Sequence, residues 1–550
     1  MHPFTRPVAT LAVACLAACG GGGSSAASTA PKGRTAADLV ALYTDWRAFQ
    51  KPGRVNDVPD YTPQGLAGKA EGLAKLRARL QAFDTTGWTI AQQVDWHVIR
   101  AEMNGLDFDL RVLKPWANNP AFYVTMFDEQ SDQPAREGPY ADGAVELWQM
   151  TFPLSAENAD LVLKGAKRVP PLLAQARTTL TGDGHDLWAQ GAGSLKGQVA
   201  VLDALLPKVA GNASLEAAVK AARASTDSFA TWVEQQAAQK KGKSGIGRAE
   251  YSWYLQHVQL VPMTWEDEER LMQRELDRSV AALALEEARN AKLPPQPVVS
   301  NPQEFATRYA AGVTDYMAFL KAREVMTIEP WMDQALRERI GSFHPGPREF
   351  FYEVDYRDPE VMRTHGYHWF DLGFMVRAPH PDPIRRTPLL YNIFNTRTEG
   401  YATGWEEVMM HAGMFDQKPR SRELIWILLA ERAARALGDL HMMDNTQTLE
   451  QSAQEASDKT PRGWLSMQGR LVRGEQHIYL QQPGYGTSYV VGKVMLDELI
   501  STRRKQLGDR FVLKDLMDAV NRTGLVPAAL VTWEITGALT PEVKRMLEAK

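Results

Sequence analysis

The stretch Glu399-Gly400-Tyr401-Ala402-Thr403-Gly404-Trp405-Glu406-Glu407 decides how the chain is read. At about 100° per residue, Tyr401, Trp405, Val408 and Ala412 share one face of a helix, and Glu399, Thr403, Glu406 and Met410 share the opposite one. Neither face is simply polar, which predicts a buried helix. Carboxylates at Glu399 and Glu406, on one stripe of such a helix, need a cation, a donor or a proton. Glu407 and His411 add an i,i+4 pair on the flank, a spacing that on its own gives only a local contact.

Upstream, Asp358-Pro359-Glu360 has the chemistry of a helix start: an N-cap acceptor, a first-turn proline and an acid near the positive end of the dipole. The helix it opens should end by Pro379. Within it His365 and His368 are spaced so that both rings reach one point, the geometry of a two-histidine metal clamp. Asp371 lies one step further along that stripe. The plain alternative is a pair of histidines packed among aromatic neighbours. Downstream, Asp439 and His441 end a strongly helical segment, and Tyr489 follows the glycine-rich turn Gly484-Tyr485-Gly486. Either His441 or Tyr489 is placed to donate to a substrate carbonyl or oxyanion. Arg470, Arg473 and His477 are candidates for holding a substrate carboxylate, and solvated charges otherwise. The run from Gly486 to Lys493 misses the phosphate-loop spacing by one residue, and no GxSxG elbow or catalytic-cysteine signature is found.

From about Gly245 to the C-terminus the chain resembles the bacterial DUF885 family, a helical group placed with the zinc-peptidase superfamily. The family's EGWALYxE stretch is matched by Glu399 to Glu406, followed in register by Gly413-Met414-Phe415. Its PGxxxSYxxG stretch is matched by Pro483-Gly484-Tyr485-Gly486-Thr487-Ser488-Tyr489-Val490-Val491-Gly492. The resemblance implies a mainly α, large multi-helix zinc-peptidase-like cleft fold with few short strands, zinc as cofactor and Glu399 as a ligand. It also places a histidine near His441. The family's HExxPGHH segment is not kept: its nearest counterpart is Met362-Arg363-Thr364-His365-Gly366-Tyr367-His368-Trp369, and His-Glu occurs nowhere in the chain. His368 stands for a family histidine and His365 for a nitrogen from a shifted position. The water-activating glutamate is left to Glu406, Glu407 or Asp371.

Elsewhere the chain reads helical, with apolar residues at three and four spacing over 64–83, 143–177, 214–240, 265–291, 303–322 and 421–443. The best strand-like segment is Phe350-Phe351-Tyr352-Glu353-Val354. A polar, glycine-rich break at 240–247 divides an N-terminal helical half, 36–242, from a C-terminal half, 243–550, that holds the dense histidine clusters. Ahead of both, Arg6 and the apolar run Val8 to Ala18 read as a signal peptide over 1–18, too short to span a bilayer. Leu16-Ala17-Ala18-Cys19 resembles a lipobox, with Cys19 lipidated and residues 19–35 as a flexible tether. Gly20 after the cysteine points to an outer-membrane destination in a Gram-negative cell. Cys15, the other cysteine, falls in the removed segment, so the mature chain has no disulfide and relies on its core.

A net charge of -4 with no basic block argues against nucleic acid, and the lack of a second long apolar run confines membrane contact to the anchor. These readings converge on a surface-anchored metal-dependent hydrolase of peptides or related amides, with His365, His368 and Glu399 holding the metal. Two alternatives share the cleft: a metal-free acid/base enzyme, and a binding lipoprotein without turnover. Substrate identity and oligomeric state are not readable from the sequence.

Overall fold

Stretches rich in alanine, leucine and glutamate fold as helices where their periodicity places them. The computed structural model describes residues 35–131 and 138–549; Cys19 and the signal peptide, with the tether up to residue 34, lie outside them. With 69% of residues helical and 2% in strands, the protein is mainly α. Capping explains several boundaries. Thr264 and Asp267 form a reciprocal capping box before Trp265–Arg289, and Asn301 caps Pro302–Arg323 with proline at the first helical position. The described strands are four two-residue pieces. Arg54–Val55 pairs antiparallel with Val58–Pro59, and Met126–Phe127 pairs parallel with Val145–Glu146.

Three local expectations change. The segment read as a strand, 350–354, is the helix Phe350–Asp355, with Phe350 and Val354 buried one turn apart; five apolar-rich residues are too few to separate the two periods. The helix expected over 143–177 starts only at Ala156, because Val145–Glu146 joins a strand pair and Ser155 caps the helix through the Asn158 amide. The helix opened by Asp358 is two, Pro359–Thr364 and Tyr367–Arg377. They part at Gly366, where a Cβ would fall 2.4 Å from a Leu336 methyl.

A larger hydrophobic core takes Leu39, Trp46 and Val98 from the first helices together with Trp405, Leu428 and Leu496, so it draws on both sides of the 240–247 break. A smaller core is built from Tyr123, Val169, Leu195, Leu202 and Phe229. The break is pinned to the end of Pro419–Met443: the Gly247 amide donates to the Met443 carbonyl at 2.7 Å. Among the described residues no helix is long and apolar enough to cross a membrane.

Four helices position the site: Asn395–His411 (the glutamate helix), Pro419–Met443 (the arginine helix), Leu471–Gln481, and Tyr485–Leu507 (the tyrosine helix). The glutamate helix is buried on every side, from Asn395 through Glu407. It meets the tyrosine helix backbone to backbone. A Cβ on Gly492 would stand 2.0 Å from the Thr396 carbonyl oxygen, and one on Gly400 would stand 2.3 Å from the Gly492 Cα. Only glycine permits that approach, and it brings Tyr485 over Glu399.

Candidate functional site

Glu399 and Glu406 face the same way, as their stripe requires, and both reach His365. The His365 Nδ1 lies 2.9 Å from Glu406 Oε1, and its Nε2 lies 3.7 Å from Glu399 Oε2. His368 Nδ1 approaches the same Glu399 oxygen at 3.8 Å. The two rings are nearly parallel, 17° apart with centroids at 6.1 Å. The turn at Gly366, in place of a continuous helix, sets this arrangement. Tyr485 donates its hydroxyl to Glu399 Oε1 at 3.0 Å, and the Tyr489 hydroxyl donates to that of Tyr485 at 3.4 Å.

The arginine helix closes the other side. Arg432 binds Glu406 with two parallel contacts, Nη1 to Oε2 and Nη2 to Oε1, each 2.8 Å. Both side chains are almost wholly buried, so this bidentate pair is what permits the Glu406 charge inside the protein. Burial pushes the Glu406 pKa up, but Arg432 and His365 outweigh it and hold the group below its usual range. Arg432 Nη2 also stands 3.2 Å from His365 Nδ1. The shorter contact, 2.9 Å, is to an ionised Glu406, which only accepts, so Nδ1 is assigned the proton and Nε2 is turned to Glu399. Glu399 behaves alike: burial raises its pKa, while His368, His365 and Tyr485 bring it down to about 2. For His365, burial and the Arg432 charge lower the pKa, and the hydrogen bonds to Glu399 and Glu406 carry it above 6.5.

These groups surround a cavity of about 190 Å³ whose polar wall is completed by Arg435, Glu475 and Tyr479. Arg435 pairs with Glu431 at 2.8 Å along its own helix and with Glu475 across the cavity. Burial raises the Glu475 pKa despite Arg435. Sequence reasoning passed over Arg432, Arg435, Glu475 and Tyr485. The signal was present in the arginine helix, where Glu431, Arg432 and Arg435 interrupt the apolar run from Leu424 to Leu440.

The other candidates stand apart. Glu407 points to the far flank, where it meets Arg278 at 2.5 Å and Lys493 at 3.2 Å. Asp371 is locked to Arg397 at 2.6 Å, both buried. Arg473 holds Glu450 on the surface at 2.7 Å, and Arg470 is exposed. His477 is buried away from the cavity, its pKa lowered to about 4 by burial. His441 gives Nδ1 to Glu455 Oε2 at 2.8 Å, outside the cavity wall. Burial raises the Glu455 pKa, but His441, Lys459 and Gln447 bring it to about 2. A depressed carboxylate stabilises above its unfolded pKa and ceases to as pH falls through the folded one. Glu455→Gln should therefore cost on the order of 1 kcal/mol at neutral pH, discounted for partial exposure. Urea melts across pH should show that gap closing between about pH 4.5 and 2.

Whether the donors suit a metal is a geometric question. Two imidazoles and one carboxylate, with one ring held by a second carboxylate, form a suitable donor set. Ligands at about 2.0–2.1 Å from a tetrahedral ion stand roughly 3.4 Å from one another. The separations of 3.7 and 3.8 Å at Glu399 are a few tenths wider. Among the described residues no group of three or more such side chains stands ready to hold an ion.

Two solved structures share the fold. One, described as a proposed lipoprotein of unknown function from Shewanella oneidensis, is 16% identical with a TM-score of 0.66, covering 91% of this chain and 97% of its own. The other, described as a proposed lipoprotein from Colwellia psychrerythraea, is also 16% identical, with a TM-score of 0.64 and coverage of 94% and 100%. No curated protein matches the sequence. The family described as "Bacterial protein of unknown function (DUF885)" matches residues 48–368 and 366–535. Covering most of the chain and every residue of the cavity, that match makes the chain a member of the DUF885 family.

Proposed function

We propose that the cavity is the reaction centre of a metal-dependent hydrolase acting on peptides or related small amides. The observation that carries this is the convergence of His365 Nε2 and His368 Nδ1 on one oxygen of Glu399, with the opposite nitrogen of His365 fixed by Glu406. Those three groups would hold zinc, which when bound polarises a carbonyl and lowers the pKa of water. Glu406 acts as a positioning residue: it sets the His365 tautomer and, bound on both oxygens by Arg432, is held ionised and is a poor acceptor of a proton. Glu475 is the carboxylate of the cavity wall that makes no bond to either histidine, and its raised pKa suits a group that accepts a proton and passes it on. Tyr485 and Tyr489 line the same cavity; their hydroxyls are given to Glu399 and to Tyr485, and turned from those acceptors they would donate to an amide oxygen as negative charge develops.

At about 190 Å³ the space is below the about 300–1,000 Å³ of typical ligand pockets. It takes a scissile amide and one flanking group, not an extended peptide. The lipobox-like Leu16-Ala17-Ala18-Cys19, and two fold relatives described as proposed lipoproteins, support a lipid-anchored protein of the cell envelope. A second reading draws on the raised His365 pKa: a metal-free pair of imidazolium and carboxylates doing acid/base work. Metal analysis of the purified protein, with hydrolysis of a dipeptide and acyl-amide panel before and after chelation, separates the two. The expected result is one zinc per chain and activity lost on chelation and restored by zinc. Hydrolysis indifferent to chelation would establish the metal-free reading, and no turnover of any panel member would remove the hydrolase reading.

A further inference from the structure

A second cavity, of about 310 Å³, lies between the two hydrophobic cores and has the size of a small-molecule site. Its walls are aromatic: Tyr61, Trp116 and Phe122 from one side, Tyr254 and Tyr391 from the other. The carboxylate of Asp109 also lines it. Among the described residues no cation or hydrogen-bond donor partners that carboxylate, and burial alone pushes its pKa up to about 7. Of the other charged groups on the wall, Lys69 has its ammonium turned to the Phe49 and Lys51 carbonyls at 2.5 Å each and forms no ion pair with Asp109, and Asp142 is paired with Arg54. A carboxyl group without an ion-pair partner therefore shares this cavity with these aromatic side chains.

The backbone around the cavity is unusual at three independent places. Asp109 opens a π-helical turn, Asp109–Leu113, and Tyr254 precedes another, Leu255–Gln259. Tyr391 and Asn392 are both left-handed, with φ of 58° and 45°. Neither is glycine, so each costs about 1–3 kcal/mol that the surroundings must offset. They do so through specific contacts. Gln259 Nε2 donates to the Tyr391 carbonyl at 3.1 Å, Asn392 Nδ2 donates to Gln482 Oε1 at 3.3 Å, and the Tyr391 ring lies where a Cβ on Gly105 would fall. Backbone of this kind concentrates where side chains are held for a ligand.

We propose that this cavity binds an organic cation, an ammonium or guanidinium on an apolar or aromatic body, with Asp109 as counter-charge and the aromatic walls as cation–π partners. The site does not depend on the reaction proposed at the histidine cavity. Its wall nevertheless includes Gln481 and Gln482, which lie between Tyr479 and Tyr485 of that cavity. The same chemistry comes from a free amine or from a lysine or arginine side chain of a peptide.

Calorimetric titration of the mature protein at about pH 8, with phenethylamine, N-acetylarginine amide, its neutral citrulline counterpart and a short arginine peptide, tests the site. Either cation should bind the wild type at least about tenfold more tightly than the citrulline amide, and Asp109→Asn should lose at least about tenfold for the cations alone. Binding of phenethylamine only identifies a small amine as the ligand class, and binding of the arginine probes identifies a peptide side chain. Because Asp109→Asn removes an unpaired charge from an aromatic wall, that variant should melt no lower than the wild type, which separates lost binding from lost folding. No cation binding up to about 10 mM, or equal binding by Asp109→Asn, overturns the proposal.

Discussion

Glu399→Gln should lower zinc affinity by at least about a hundredfold and abolish zinc-dependent hydrolysis, while leaving a folded protein. Losing an outer-shell partner typically costs 10–100-fold in metal affinity, and Glu399 is the group on which both histidines converge. Glutamine keeps the volume and the oxygen that accepts from Tyr485, so the packing of the glutamate and tyrosine helices is retained. What disappears is the charge. Competition against a chelator of known affinity reads the metal directly, without any substrate. Stability has its own signature. Because the Glu399 pKa is depressed from 4.5 to about 2, its ionised form stabilises the fold at neutral pH, and that contribution is lost as pH falls through the folded value. Melting temperatures of wild type and variant should differ at neutral pH and converge near pH 2. Unchanged zinc affinity in Glu399→Gln would remove Glu399 from the metal site, whatever the activity.

The parts of this site that were legible in sequence are those set by one helix. Glu399 and Glu406 occupy one stripe by periodicity alone. The direct apposition of Gly400 and Gly492 is not read from the two family stretches that contain them. The parts that were not legible depend on which helices meet. Arg432, Glu475 and Tyr485 reach the cavity from three other helices, and nothing in their own spacing names Glu399 as the common neighbour. His441 and Arg473 look like site residues in isolation, yet Glu455 and Glu450 already engage them. His365 and His368 illustrate the middle case. Their spacing brings them together, but the break at Gly366 turns the rings in a way that a continuous helix would not.

Arg432→Met should destabilise the protein by about 3–5 kcal/mol, the typical cost of breaking one half of a buried ion pair. Methionine fills much of the arginine volume, so the loss is electrostatic. Glu406, 1% exposed, would be left with His365 as its remaining charged partner. It must then take up a proton or draw one onto the imidazole, and either change disturbs the hydrogen bond that turns Nε2 towards Glu399. The double variant Arg432→Met/Glu406→Gln tells the two consequences apart. With no buried charge stranded, most of the stability should return, since replacing both members of such a pair is often close to neutral. Zinc affinity should not return with it: a neutral amide is a weaker acceptor for His365 Nδ1, and loss of such support costs about 10–100-fold. Denaturant melts and chelator competition on the wild type, the single variant and the double variant measure these separately. Recovery of both quantities together would mean that Arg432 and Glu406 serve only the fold. Recovery of stability alone would mean that the pair is kept because it aims a histidine.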